Sequence, residues 1–200
     1  MDVKLSAGST LFIEGDKADH LYNISHGCIR IHKLLPDGRR QVIGFLTTGD
    51  FLGFAVRDGY AYSAEAVTNT KLCGFSRVKL EHLLQAFPAM EKRLLGIAAN
   101  ELAVAQDQML LLGRKTAAER LASFLIAFSD RLLKADLPIS PIVLPMARSD
   151  ISDYLGLTNE TISRTFTRFR KLGLIELNNA ETIYIRDMKR LRRVAGGEEP

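Results

Sequence analysis

Residues 148–170 constrain the fold of this chain more than any other segment. They are predicted to form two short helices joined at Gly156, Leu157 and Thr158. On the second helix, apolar side chains recur at i, i+4 and i+7 and predict a buried stripe. The stripe consists of Ile162, Phe166 and Phe169. The opposite face carries hydrogen-bonding and basic side chains, a division that suits a helix-turn-helix entering the major groove of DNA.

The polar face of the second helix holds the candidate DNA-reading residues. Arginine can donate two hydrogen bonds to guanine, and a carboxylate can accept one from cytosine. Glu160 and Arg164 are therefore expected to read one G·C pair, although their spacing also suits a surface salt bridge and Glu160 also suits a first-turn acid. Ser163 is expected at a neighbouring base, and Arg168 and Lys171 at phosphates. The other candidates are Thr158, which is the expected N-cap, and Asn159, Thr161 and Thr167.

The net charge of +4 is concentrated in the part of the chain that contains this segment. Residues 1–113 carry 12 basic and 12 acidic side chains, whereas residues 114–200 carry 15 and 11. A basic C-terminal part is expected of a protein that binds double-stranded DNA, although a solvated surface can be equally basic.

Several sequence features are missing, and their absence disfavours other classes of protein. No run approaches 18 apolar residues, and residues 1–10 lack the apolar core of a signal peptide, so a cytoplasmic protein with no membrane partner is expected. No nucleophile–base pair, metal cluster or phosphate loop is found, so an enzyme is not expected. Cys28 and Cys73 are too few for a disulfide framework and are expected to be reduced.

The chain is expected to divide into three parts, with an α+β fold class. In residues 1–86, short apolar runs are separated by glycines, and a turn signal at Asp37 and Gly38 predicts a hairpin in a small antiparallel barrel or sandwich. Residues 87–113 are expected to form a long helix. Residues 114–200 are expected to form the DNA-binding domain, in which a hairpin after the second helix predicts a wing.

The long helix carries a heptad pattern, with spacings of three and four alternating over almost three heptads. Packing of this helix on its own domain is the alternative interpretation. The small alanines favour the close approach of a second helix, so a homodimer is expected. The seam residues are Leu95, Ala98, Leu102, Ala105, Met109 and Leu112.

Residues 150–158 and 160–164 resemble the CRP/FNR superfamily of bacterial transcription regulators. Residues 160–164 point to its FNR branch, and Leu144, Pro145 and Met146 resemble its FixK-type members. The resemblance covers nearly the whole chain. It implies an N-terminal antiparallel β-roll of the cyclic-nucleotide-binding type as effector domain, a dimerisation helix and a C-terminal winged helix-turn-helix. It also implies an activator that contacts RNA polymerase and acts in oxygen- or nitrogen-related respiratory control. The residues matching Glu160, Ser163 and Arg164 would read palindromic TTGAT-type half-sites.

The resemblance also implies a nucleotide pocket, but two of its characteristic residues are replaced here. Phe54 stands where cyclic-nucleotide-binding members have a carboxylate, and Tyr62, before Ser63, stands where they have the phosphate-binding arginine. Because a charge-assisted arginine–phosphate contact is lost, binding of cAMP is disfavoured. Cys28 and Cys73 cannot complete the four-cysteine iron–sulfur site of the oxygen-sensing members.

The alternative function is a regulator gated by haem or another small ligand. Cys28 and His32 share one face of a predicted strand, and His20, His26 and His82 lie in the same domain. Oxidation of a cysteine thiol is a further alternative for how the regulator is controlled. The resemblance to FixK-type members instead implies a regulator without a bound cofactor or metal, and that is the expected state.

Overall fold

A computed structural model describes residues 1–54, 58–134, 141–179 and 181–198 of the chain. They belong to two compact units, Met1–Val104 and Ala105–Pro200, and the division falls within one long helix. Among the described residues, none of the helices is both long enough and apolar enough to cross a membrane.

The first unit is built on two four-stranded sheets, with strand orders β1-β8-β3-β6 and β2-β7-β4-β5. All of the paired strands in these sheets are antiparallel, which confirms the expected antiparallel fold of this part. The strands are β1 (Asp2–Leu5), β2 (Thr10–Phe12), β3 (His20–His26), β4 (Cys28–Leu34), β5 (Arg40–Thr47), β6 (Phe51–Leu52), β7 (Ser63–Ala66) and β8 (Thr70–Ser76).

The β4–β5 hairpin turns at the Asp37 and Gly38 signal, and Gly38 has the positive φ of 84° that this turn requires. Side chains from both sheets meet in one core, in which Ile24, Ile29 and Leu52 are fully buried. Burying an aliphatic side chain of this size stabilises a fold by about 1.5–3 kcal/mol. The apolar runs between the glycines therefore supply the core of the roll.

Two helices follow the roll. They are α1 (Arg77–Ala86) and α2 (Pro88–Arg114), and α2 begins at a proline, a residue favoured in the first helical turn. Within its 27 residues, α2 buries a single side chain, Leu111. Almost the whole surface of this helix is therefore open in one copy of the chain.

The second unit is a winged helix-turn-helix, as expected. β9, β10 and β11 form an antiparallel sheet in the order β10-β11-β9, and the helices pack beside it. The apolar face of α3 is buried through Leu121, Phe124, Leu125 and Phe128. The elements are α3 (Ala117–Lys134), β9 (Ile142–Val143), α4 (Arg148–Leu155), α5 (Asn159–Lys171), β10 (Ile175–Leu177), β11 (Thr182–Ile185) and α6 (Met188–Ala195).

Candidate DNA interface

The turn between α4 and α5 is held by a glycine and a threonine. Gly156 ends α4 with φ of 60°, the left-handed conformation that glycine adopts most readily. Thr158 begins α5 as its N-cap, and its hydroxyl accepts a hydrogen bond from the Thr161 N–H at 3.1 Å. The predicted cap is confirmed, and capping of this kind contributes about 1 kcal/mol.

The buried stripe of α5 is confirmed. Ile162 and Phe169 are fully buried and Phe166 is 3% exposed. Thr165 lies on the same buried side, where its hydroxyl donates to the Thr161 carbonyl at 2.7 Å. Because these side chains anchor α5 in the core, its opposite face is turned to solvent.

The solvent side of α5 forms an open surface that we call the reading face, and Leu172 adjoins it. Within it, Glu160 and Arg164 form an ion pair at 2.6 Å, with side chains 71% and 80% exposed. An exposed pair at this spacing contributes about 0.3–0.5 kcal/mol, so either group can exchange its partner for DNA. The reading face comprises Glu160, Ser163, Arg164, Thr167, Arg168 and Lys171.

The remaining candidate residues make contacts inside the unit. The Asn159 side-chain oxygen accepts from the Ser152 hydroxyl at 2.8 Å, which links α5 to α4. The Thr161 and Thr158 hydroxyls are hydrogen-bonded to each other at 2.9 Å, and the Thr167 hydroxyl donates to the Ser163 carbonyl at 2.9 Å. These bonds stabilise α5, and the DNA-binding roles of the four side chains stay predictions.

Arg148 is a residue near the interface that the sequence interpretation did not select. Its guanidinium lies over the Phe166 ring, 3.3 Å from the centroid. Burial lowers the pKa of Arg148 to about 10. Among the described residues, its buried Nη1 has no hydrogen-bond partner. The signal in the sequence was a cation at the start of α4, where the helix dipole disfavours positive charge.

The predicted seam residues of α2 are largely exposed. Leu95, Leu102 and Met109 expose 70%, 58% and 68% of their surface, and Ala98 and Ala105 are also exposed. Leu112 is half-buried. Exposed leucines at heptad spacing are typical of a helix that pairs with another helix.

The predicted nucleotide-pocket residues are divided between different surroundings. The Tyr62 hydroxyl accepts the Gly53 N–H at 3.1 Å, and the Tyr60 hydroxyl donates to the His20 carbonyl at 2.8 Å. Burial raises the pKa of Tyr62, the hydrogen bond from Gly53 opposes this shift, and the charge of Glu101 adds to it. We refer to Gly53, Tyr60 and Tyr62 as the roll pocket.

The other two predicted pocket residues do not join Tyr62. The buried Ser63 hydroxyl accepts from the Glu14 N–H at 3.0 Å. Phe54 lines a separate groove with the first part of α2, whose lining also includes Leu94, Leu95 and Ala98. Ser63 is therefore bonded within the roll, and Phe54 is an apolar wall residue.

The haem candidates Cys28 and His32 are both buried, with 2% and 8% of their surface exposed. The Cys28 N–H donates to the Thr68 hydroxyl at 3.0 Å. In the described part of the chain, no three His, Cys, Asp or Glu side chains are grouped as a metal site would require. His32 thus belongs to the packed interior of the roll, contrary to the usual exposure of a strand histidine.

A helix anchored by a buried stripe, with a polar outer face and a three-stranded wing beside it, defines a winged helix-turn-helix DNA-binding protein. Two family descriptions match the chain: "Cyclic nucleotide-binding domain" over residues 2–87 and "Crp-like helix-turn-helix domain" over residues 119–194. The first corresponds to the roll and the second to the DNA-binding unit.

The chain is similar along most of its length to known regulators. It is 44% identical over 173 residues to the transcriptional activatory protein AadR of Rhodopseudomonas palustris, covering 86% of this chain and 72% of that protein. It is 42% identical over 175 residues to the nitrogen fixation regulation protein FixK of Bradyrhizobium diazoefficiens, covering 88% and 74%. The structure of FixK2 from Bradyrhizobium japonicum matches with a TM-score of 0.93 at 34% identity, covering 100% of this chain and 98% of that one.

The chain belongs to the CRP/FNR family of transcription regulators, in its FixK-like branch. The expected fold class is therefore confirmed. Its relatives are regulators rather than enzymes, which confirms the expectation that this chain is a DNA-binding regulator and not an enzyme.

Proposed function

We propose that this chain is a homodimeric activator that binds palindromes of TTGAT-type half-sites. The observation that carries the proposal is the reading face of α5, where Glu160, Ser163 and Arg164 lie together and exposed. The relatives are named a transcriptional activatory protein and a nitrogen fixation regulation protein. Those names support activation, with RNA polymerase as a partner, and a role in oxygen- or nitrogen-related respiratory control.

Base reading in this proposal follows from the chemistry of the reading face. Arg164 donates two hydrogen bonds to guanine, while Glu160 accepts one from the paired cytosine. Ser163 contacts the next base. Arg168 and Lys171 stand at the C-terminal end of α5 and bind phosphates, which fixes the position of the helix in the groove.

Dimerisation in this proposal uses the exposed seam of α2. Leu95, Leu102 and Met109 are large apolar side chains with more than half of their surface in water. Pairing with the same helix of a second copy would cover them around a two-fold axis. A two-fold dimer presents two reading faces to two inverted half-sites, so its operator is a palindrome.

We further propose that DNA binding needs no bound cofactor and takes place in the cytoplasm, where the chromosome lies. In the roll pocket, Tyr62 stands at the position where the resemblance puts the phosphate-binding arginine, and its hydroxyl accepts a hydrogen bond from the Gly53 N–H. This internal bond supports a pocket that is closed without a nucleotide.

The experiment that tests the proposal is a selection of DNA sequences from a random library, done on the purified protein with and without air. We expect TTGAT-type palindromes under both conditions, and gel shifts should show weaker binding of a TGTGA palindrome. A preference for the TGTGA palindrome would contradict the proposed TTGAT-type sequence specificity. Recovery of single half-sites would contradict the dimer.

The haem-gated alternative is tested by the absorption spectrum of freshly purified protein. We expect no strong visible band. A band together with DNA binding that depends on the haem would replace our proposal with the alternative, in which Cys28 and His32 are the first residues to substitute.

A further inference from the structure

We infer that Arg120 is the positioning residue that sets the spacing between the two half-sites. Its guanidinium ties the end of α2 to the end of α4, and thereby fixes how α5 is held relative to the paired helix. The inference rests on the proposed function, in which α2 pairs with a second copy and α5 reads DNA.

Arg120 lies near the start of α3 and donates in three directions. Its Nε donates to the Lys115 carbonyl at 2.8 Å, just beyond the end of α2. Its Nη2 donates to the Leu112 carbonyl at 2.9 Å, in the last turn of α2. Its Nη1 donates at 2.8 Å to the carbonyl of Leu155, which is the last residue of α4. One rigid side chain therefore joins three segments of the same compact unit.

The physical reason for this arrangement is the chemistry of helix ends. The last carbonyls of a helix have no partner within the helix and carry its negative dipole. In this unit, the C-terminal ends of α2 and α4 both meet the one guanidinium. Arginine suits the position because its planar fork donates in several fixed directions, whereas the ammonium of lysine is a single point of charge.

Two further contacts join α2 to the end of α4 and the turn after it. The Gln108 side-chain amide, on α2, donates to the Tyr154 carbonyl at 2.8 Å. Gly156 comes next in the turn, and a Cβ there would lie 3.2 Å from the Leu112 Cδ2 and 3.4 Å from the Arg120 Nη1. The turn that leads into α5 is thus in close contact with the last turns of α2.

This contact between α2 and α4 matters for DNA binding because the two reading faces of a dimer can occupy both half-sites only at a matching separation. Each additional base pair moves one half-site about 3.4 Å along the axis and turns it about 35° around the axis. The seam residues Ala105, Met109 and Leu112 belong to the same compact unit as α5. A rigid link between that part of α2 and the reading face therefore selects one spacer length.

The test compares wild type with Arg120→Lys on a panel of palindromes whose spacers differ by one base pair at a time. Wild type is expected to prefer one spacer by about tenfold or more over its neighbours, and Arg120→Lys to reduce that ratio to about threefold or less. Arg114→Lys, at the exposed end of α2, is the matched control and should keep the wild-type ratio.

A purely structural role predicts a different result, namely weaker binding of every spacer with the wild-type ratio unchanged, and that result would overturn the inference. If Arg120→Lys does not fold, Gln108→Met decides, because it removes only the bond to Tyr154. A retained ratio in Gln108→Met would then overturn the inference, and a ratio lowered by about twofold would support it. Wild-type protein that binds all spacers equally overturns it as well, whereas wild type that binds no palindrome contradicts the proposed function.

Discussion

The roll pocket and the reading face treat their polar groups in opposite ways. In the roll pocket, Tyr62 and Tyr60 make their hydrogen bonds to the backbone of the same unit. On the reading face, Glu160 and Arg164 bond to each other while most of their surface is in water. The polar groups of the roll pocket are thus hydrogen-bonded within their own unit, whereas those of the reading face are exposed. Under the proposed function, changes in the exposed surfaces should alter DNA binding, and changes in the roll pocket should not.

The largest effect is expected from Leu102→Glu, which places charge in the open seam of α2. Two carboxylates would face each other across the seam, so the variant should be monomeric in sedimentation. Its affinity for a palindrome should fall by about 100-fold or more, because the second half-site no longer adds to the first. Asn100→Glu, on the opposite side of α2, is the control. An equal loss of affinity in both variants would contradict dimerisation through the seam.

Arg164→Ala should have the next largest effect. It should remove discrimination at one G·C pair, worth about 1–3 kcal/mol, as measured on operators substituted at each position. Lys171→Ala is the comparison, because loss of a phosphate contact weakens all sequences alike and lowers the salt dependence of binding by about one unit. Uniform weakening by Arg164→Ala would make Arg164 a phosphate contact.

Tyr62→Phe should lower the stability of the roll pocket without changing DNA binding. The Gly53 N–H loses its acceptor, and the free energy of unfolding should fall by about 1 kcal/mol in denaturant titrations. Affinity for the TTGAT palindrome should stay at the wild-type value. Tyr184→Phe, in the wing strand, is a matched control for loss of a tyrosine hydroxyl. A change in DNA affinity in Tyr62→Phe would show that the pocket is coupled to the reading face.

The smallest effect is expected from cAMP itself. A ligand present at 100 times its Kd raises the free energy of unfolding by about 2.7 kcal/mol and raises the Tm. We expect no change of Tm and no change of DNA affinity when cAMP is added. A clear rise in Tm would mean that the roll pocket opens to a nucleotide, and the contrast between the two regions would then be wrong.

Local patterns predicted most of the DNA-binding unit. The apolar stripe and the Thr158 cap follow from spacing and residue type, which act over one or two helical turns. The β4–β5 hairpin was predictable for the same reason, because Asp37 and Gly38 adjoin both strands.

Contacts between distant segments were not predictable in this way. β1 pairs with β8, roughly at the opposite end of the roll's sequence, and no local pattern encodes that pairing. The stacking of Arg148 on Phe166 and the four carbonyls around Arg120 also depend on the tertiary fold. Phe54 matched a pocket position by resemblance, but it lines a groove together with residues of α2, an arrangement set by the tertiary fold.

Under the proposed base reading, the ion pair between Glu160 and Arg164 gives each residue an alternative partner when DNA does not satisfy it. At a mismatched base pair, the two side chains can return to each other, so neither is left as a buried charge without a partner. The penalty for one wrong base is therefore limited, and imperfect operators keep part of their affinity. The genes under such a regulator would respond in order of operator quality as its concentration rises, and affinities measured over singly substituted operators should form a continuous series.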